Sequence, residues 1–147
     1  MNNIVKIKKL DSRAIVPKRA TESAAGADLF AIADGEILIN PGETVFVHTG
    51  LAIEIPEGWA GLVYARSGLA SKSGLAPANK VGVVDADYRG ELMVALHNHS
   101  GVQQVLRSGE RIAQLVITPY LPAVFEEAEE LSQTERGAGG FGSTGRS

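Results

Sequence analysis

The chain contains 147 residues, of which 44% are hydrophobic and 21% are charged, and its formal net charge is −3. This length suits a single domain, and the composition is too apolar for a disordered protein. The negative charge argues against general nucleic-acid binding, which needs clustered Lys and Arg, and the absence of Cys excludes disulfides and thiolate metal sites.

The N-terminal segment, residues 1–13, alternates charged and apolar side chains. It has no continuous hydrophobic stretch of the kind that signal peptides and membrane spans require. We therefore expect a cytoplasmic protein without a membrane or nucleic-acid partner.

From residue 36 onward, short β-branched stretches alternate with turn residues and predict consecutive strands. These strands are expected at residues 36–39, 44–47, 51–55, 59–64, 81–84, 92–96, 102–106 and 112–118. His48, Thr49 and Gly50 are predicted to form a turn between two of them. So many short strands predict an all-β sandwich or barrel.

Helix is expected only at residues 67–73 and 125–132, and both stretches are short. The Gly-rich stretch at residues 136–145 cannot hold regular structure unaided, because glycine loses much backbone entropy on ordering. The sequence thus predicts a β domain over residues 1–135 and a flexible tail over residues 136–147.

Two segments in the first half carry groups suited to a phosphorylated ligand. Asp28 begins a strand soon after Gly26, and it can orient a metal-bound water, cap a turn or pair with a buried Arg. Arg66, Ser67 and Gly68 follow another strand, where guanidinium, hydroxyl and backbone N–H groups can converge on phosphate oxygens. A simple capped turn fits the same three residues.

Residues 79–91 are predicted to form a β-hairpin with a polar turn. The Asn79 amide offers a donor and an acceptor that match the edge of uracil, and nearby backbone groups can complete the pairing. Asp85, at the strand end, can accept a proton from an attacking water. Tyr88 can cover a sugar so that a 2′-hydroxyl would stay unpaired, whereas the alternative is a polar turn with one packing aromatic residue.

The last segments carry a strand amide and a Gly-rich tail. Gln114 lies inside an apolar strand and needs partners, which are either backbone groups or phosphates with the nucleophilic water. Arg111 is expected to form a structural ion pair. The tail residues that can bind phosphate or stack on a base are Arg136, Phe141, Gly142, Ser143 and Thr144. A disordered terminus is the alternative.

His97 and His99 alternate along a predicted strand, which would place both imidazoles on one face. No third metal ligand lies nearby in sequence. We expect satisfied surface or interface histidines rather than a metal site.

In this order, the five polar segments resemble the five motifs of the trimeric deoxyuridine triphosphatase family, over residues 25–145. The resemblance implies a distorted, jelly-roll-like β-barrel and a homotrimer with active sites at subunit interfaces, covered by a neighbour's C-terminal segment. It implies hydrolysis of dUTP to dUMP and pyrophosphate with Mg²⁺, by water attack on the α-phosphorus. Such an enzyme limits uracil incorporation into DNA and supplies dUMP for dTMP synthesis.

The resemblance also implies roles for individual residues. Asp85 and Gln114 are implied as catalytic, and Asp28 as a contact to Mg²⁺ through water. The residues implied to hold uracil and sugar are Asn79, Gly82, Val83, Val84, Asp85, Tyr88 and Met93. Those implied to bind the phosphates are Arg66, Ser67, Gly68 and Gln114. Those implied to form a lid are Arg136, Phe141, Gly142, Ser143 and Thr144. Ala65 replaces a proline that family members often carry, so we expect a less rigid turn there.

Two alternatives stay open at the level of sequence. A dCTP deaminase shares the implied fold and trimer, but its chains are usually longer and it must recognise a 4-amino group. A nucleotide-sensing or partner-binding trimer would keep the pocket without turnover. The length and the Gly-rich tail favour the triphosphatase over the deaminase, and Asp85, Gln114 and the tail favour it over the binding protein.

Overall fold

A computed structural model describes residues 4–142 of the chain. Within this range, eleven strands and one short helix form the regular structure, which confirms the all-β prediction. The strands are β1 Lys6–Lys9, β2 Lys18–Arg19, β3 Ala27–Phe30, β4 Ile37–Ile39, β5 Thr44–Glu54, β6 Trp59–Tyr64, β7 Leu75–Pro77, β8 Gly82–Val84, β9 Glu91–Asn98, β10 Gln104–Leu106 and β11 Arg111–Pro119, and the helix is α1 Ser67–Ser73.

The strands form two main antiparallel sheets and one short pair. The four-stranded sheet has the order β1-β5-β9-β7, and the five-stranded sheet has the order β2-β3-β11-β6-β8. The short pair consists of β10 and β4. Neighbouring strands in each sheet are mostly distant in sequence, so long-range pairing defines the fold.

The hydrophobic core is built from strands that alternate buried and exposed residues. On β9, Leu92, Val94 and Leu96 are buried, whereas Met93 on the opposite face is 42% exposed. Burying each of these leucines stabilises the fold by about 1.5–3 kcal/mol. The outer face of β9 is therefore left for contacts outside the core.

The predicted β-hairpin at residues 79–91 is wrong. β8 pairs with β6 in the five-stranded sheet, and β9 pairs with β5 and β7 in the four-stranded sheet. The order of strand, polar turn and strand is as predicted, but the two strands belong to different sheets. No hydrogen-bonded ladder joins them, so the space between them is open.

The predicted turn at residues 48–50 is also wrong, because β5 runs through it. The pairing of β5 with β9 changes register between His48 and Ala52, which is a β-bulge. Gly50 has a φ of 67° in this bulge, and an added Cβ would lie 2.7 Å from Ile32 Cδ1. The turn-forming residues therefore mark an irregularity within one strand rather than a chain reversal.

The helix predicted at residues 67–73 is confirmed as α1. It ends at Gly74, whose φ of 67° gives a left-handed cap and whose N–H donates to Ala70 O at 3.1 Å. The helix predicted at residues 125–132 is wrong, since residues 120–142 contain neither helix nor strand. That acidic stretch presents no packed apolar face, which a short helix needs.

The segment that follows β11 exposes apolar side chains. Leu121, Val124, Phe125 and Leu131 are almost fully exposed. Across residues 4–142, no helix is long and apolar enough to cross a membrane. We call residues 120–131 the C-terminal arm.

Candidate active site

A cavity of about 270 Å³ opens between β8 and β9. Its walls include the seven residues predicted to hold uracil and sugar, namely Asn79, Gly82, Val83, Val84, Asp85, Tyr88 and Met93. The cavity exists because β8 and β9 belong to different sheets. The residues that the sequence pattern grouped thus line one cavity, although the predicted strand pairing was wrong.

Asn79 is held by a tight turn at the cavity wall. Lys80 has a φ of 65°, and the Val81 N–H donates to Asn79 O at 2.7 Å, which forms a γ-turn. An added Cβ at Gly82 would lie 3.2 Å from Asn79 Nδ2. Glycine at this position lets the Asn79 amide lie against the backbone of β8.

Asp85 and Tyr88 flank the polar connection between β8 and β9. The Tyr88 N–H donates to Asp85 O at 3.2 Å, and the Tyr88 hydroxyl donates to Glu91 O at 2.9 Å. A Cβ at Gly90 would overlap the Tyr88 hydroxyl, so the ring lies over this glycine. The Asp85 side chain is exposed at the cavity and is accessible to water.

Asp28, Arg66 and Gln114 form a second group, which we call the Asp28 cluster. Arg66 Nε donates to Asp28 Oδ1 at 2.8 Å, and Gln114 Nε2 donates to Ala65 O at 2.9 Å. Asp28 and Gln114 face each other across β3 and β11. Gly26 is needed beside them, because a Cβ there would overlap Gln114 Oε1.

The Asp28 carboxylate orients a guanidinium. Its side chain is only 14% exposed, and Arg111 Nη1 lies 3.6 Å from Asp28 Oδ2. Asp28 therefore forms an ion pair with Arg66, which the sequence had left open beside a metal role. Arg111 takes part in the same ion pair, as expected. Asp28 engages Arg66 through Nε, so the terminal nitrogens Nη1 and Nη2 can donate to another anion.

The cavity and the Asp28 cluster do not share one pocket. Arg66 lines a shallow hollow of about 340 Å³ together with Leu106, Gly109 and Arg111. The cavity between β8 and β9 is not lined by Ser67, Gly68 or Gln114. The structure thus brings the predicted base-binding residues together, and separately gathers Asp28, Arg66 and Gln114.

The predicted lid residues lie apart from both groups in this chain. Arg136 Nε donates to Gly139 O at 2.8 Å, and the Phe141 ring is fully exposed. Arg136, Phe141 and Gly142 do not line the cavity. Ser143 and Thr144 lie outside the residues that the structure describes.

Sequence analysis did not assign seven residues of the cavity wall, namely Phe46, Val63, Pro77, Glu91, Leu92, Val94 and Ala95. Ala95 shares the outer face of β9 with Met93, and strand alternation could have identified it. Phe46 reaches the cavity because β5 pairs Phe46 with Ala95. That long-range register has no signal in the local sequence.

His97 and His99 share a face, as their spacing predicted. Their ring centroids lie 4.5 Å apart, and Thr44 Oγ1 lies 2.8 Å from His97 Nδ1. Partial desolvation, followed by the charges of His97 and Lys80, lowers the pKa of His99 below its ordinary value. Among residues 4–142, no group of three or more His, Asp or Glu side chains is arranged to hold a metal.

A family model and related protein sequences both resemble this chain over nearly its whole length. A family model described as dUTPase matches residues 12–145. The deoxyuridine 5'-triphosphate nucleotidohydrolase of Nautilia profundicola is 51% identical over 142 residues, which cover 97% of this chain and 99% of that protein.

Solved structures share the fold. A mutant dUTPase of Staphylococcus bacteriophage 80alpha, determined with dUpNHpp, has a TM-score of 0.90 and 31% identity, covering 98% of this chain and 99% of that one. A mutant dUTPase of S. aureus phage phi11, with a TM-score of 0.80 and 26% identity over 89% of this chain and 100% of that one, coordinates a structural Mg(II) ion. These similarities bear out the jelly-roll-like fold.

Proposed function

The chain belongs to the dUTPase family, and from that premise we propose that it is a homotrimeric enzyme that hydrolyses dUTP to dUMP and pyrophosphate. The observation that carries this proposal is the cavity between β8 and β9, which all seven predicted base and sugar residues line. The activity would limit uracil incorporation into DNA and supply dUMP for dTMP synthesis.

Uracil binds in the cavity through hydrogen bonds rather than charge. The Asn79 amide and backbone groups of β8 present donors and acceptors to the alternating edge of the base. Cytosine would leave buried polar groups unpaired, at about 1–3 kcal/mol for each. Little space separates Gly82 from the Asn79 amide, and the Met93 side chain also lines the cavity. Both features support steric exclusion of a thymine methyl group.

Asp85 acts as the general base. Its exposed carboxylate at the cavity can take a proton from the water that attacks the α-phosphorus. Gln114 helps to hold the phosphates and this water, and the bond from its Nε2 to Ala65 O leaves Oε1 to accept from water.

Tyr88 selects the deoxyribose. Its ring is supported by Gly90 below and by the bond from its hydroxyl to Glu91 O. A ribose 2′-hydroxyl placed against this ring would lose water without gaining a partner. The ring therefore disfavours UTP.

Arg66, Ser67 and Gly68 bind the phosphates, with the guanidinium oriented by Asp28. Mg²⁺ fits such a site because it commonly uses substrate phosphates, waters and one or two carboxylates instead of a complete protein cage. Asp28 keeps its ion pair with Arg66 and would contact the ion only through water. The bound ion supplies neutralisation of the triphosphate charge.

The separation of the two groups supports a site shared between subunits, and the family resemblance implies that the oligomer is a homotrimer. One dUTP molecule needs both the cavity and a phosphate-binding group, yet a single chain does not gather them in one pocket. We propose that one subunit supplies the cavity and a second supplies Arg66, Ser67, Gly68 and Gln114. The exposed apolar C-terminal arm supports association, because such surface is usually covered by a partner.

The tail closes the site. Arg136, Phe141, Gly142, Ser143 and Thr144 would form a lid over the bound nucleotide, with the guanidinium on phosphate and the ring on the base. Residues 136–147 form this lid, and within residues 1–135 the barrel ends with β11 at Pro119 and the C-terminal arm follows it.

The proposal is tested by incubating the protein with Mg²⁺ and each deoxynucleoside triphosphate, while pyrophosphate and the product base are measured. We expect pyrophosphate and dUMP from dUTP alone. Deamination of dCTP would support the deaminase alternative instead. Tight dUTP binding without any pyrophosphate would support the nucleotide sensor.

A further inference from the structure

Glu91 connects the cavity to the β-bulge of β5. Its Oε1 accepts a hydrogen bond from the Gly50 N–H at 2.9 Å, and its Oε2 lies 2.9 Å from His48 Nδ1. Its backbone carbonyl accepts the bond from the Tyr88 hydroxyl, also at 2.9 Å. One residue thus links two strands and the aromatic ring at the cavity.

The bulge is a rigid anchor for this carboxylate. Gly50 is in close contact with Ile32 and Ala14, which leave no room for a side chain. Thr49 is fully buried, and its hydroxyl donates to Leu92 O. The Glu91 side chain is only 23% exposed, so its hydrogen bonds compete little with water.

We propose that Glu91 is a positioning residue for the discrimination between dUTP and UTP. The inference rests on the proposed function, in which the Tyr88 ring covers the deoxyribose. The Tyr88 hydroxyl is tied to a carbonyl whose own residue is fixed by its carboxylate. Loss of that carboxylate loosens the start of β9, lets the ring tilt, and gives the 2′-hydroxyl of UTP access to water.

The test compares kcat and KM for dUTP and UTP in three variants. Glu91→Ala should lower the dUTP-to-UTP ratio of kcat/KM by about fivefold to tenfold, which corresponds to the loss of a single hydrogen bond. The change should come mainly from a lower KM for UTP. Glu91→Gln should keep most of the ratio, because its amide oxygen still accepts from Gly50. Glu91→Asp, the substitute if Glu91→Ala does not fold, should give a smaller loss in the same direction.

Two further variants separate positioning from general stability. Tyr88→Phe should lower the ratio similarly, and adding Glu91→Ala to it should lower the ratio no further, since both act through one bond. Glu43→Ala removes a carboxylate that accepts the Asn40 N–H at 2.8 Å outside the cavity, and it should leave the ratio unchanged.

The outcomes distinguish this inference from the proposed function. An unchanged ratio in Glu91→Ala, or in Glu91→Asp if that variant replaces it, overturns the positioning role. Fully additive losses in the double variant do so as well. Failure of the native protein to hydrolyse dUTP would instead overturn the proposed function.

Discussion

The cavity and the Asp28 cluster are built in opposite ways. The cavity is formed by one continuous segment and its strand neighbours, and Asp85 and Tyr88 are exposed in it. The Asp28 cluster is assembled from β3, from β11 and from the residues between β6 and α1, and it contains a part-buried ion pair. The difference indicates that the cavity can be read largely from one segment of sequence, whereas the Asp28 cluster forms only after long-range strand pairing.

Removal of the proposed general base, Asp85 in the cavity, should have the largest effect on turnover. Asp85→Asn should lower kcat roughly 10²- to 10⁴-fold, because a positioned base contributes that much. Binding of a non-hydrolysable dUTP analogue, measured by calorimetry, should be largely retained. Unchanged turnover would remove Asp85 from its role.

Removal of the guanidinium tests the second group. Arg66→Ala should lower kcat/KM for dUTP roughly 10²-fold, as expected for the loss of a donor to developing charge. It also leaves Asp28 without its closest partner, so the variant should unfold at lower temperature. Arg111→Ala is the matched control, since Arg111 is 54% exposed and lies farther from the carboxylate; equal losses in both variants would argue against a phosphate role for Arg66.

Truncation after Arg136 tests the proposed lid, which belongs neither to the cavity nor to the Asp28 cluster. We expect kcat to fall by roughly tenfold or more, since hydrogen bonds to charged groups contribute about 1.5–3 kcal/mol each. Sedimentation should show the same oligomer before and after truncation. Dissociation of the oligomer would instead make the tail an assembly element.

The smallest effect is expected from overpacking the Asp28 cluster. In Gly26→Ala the new methyl group would displace Gln114, which should cost about 1–3 kcal/mol of unfolding free energy and reduce kcat/KM severalfold. In Gly35→Ala the methyl group would meet nothing within 4 Å, so stability and activity should stay native. Thermal unfolding and steady-state kinetics of the two variants check both expectations.

The sequence predicts what is encoded locally. The apolar spacing of Leu92, Val94 and Leu96 was enough to locate β9, and Gly74 follows α1 as a left-handed cap requires. The seven residues predicted to hold the base and sugar were also grouped together, because amide, carboxylate and aromatic residues follow one another in a short segment.

Long-range pairing could not be predicted in the same way. β8 and β9 look like a hairpin, but burial of their apolar faces in two sheets decides their partners. The same limit hides the bulge at Gly50, the contribution of Phe46 to the cavity, and the pairing of Arg66 with Asp28. The short strands β1, β2 and β7 were missed because each depends on a neighbouring strand more than on its own residues.

In the proposed oligomer, the C-terminal arm makes stability and activity depend on protein concentration. Leu121, Val124, Phe125 and Leu131 are covered only when another surface meets them. By mass action, association then contributes to the apparent stability, and that contribution falls on dilution. Specific activity and melting temperature should therefore decline together as the protein is diluted.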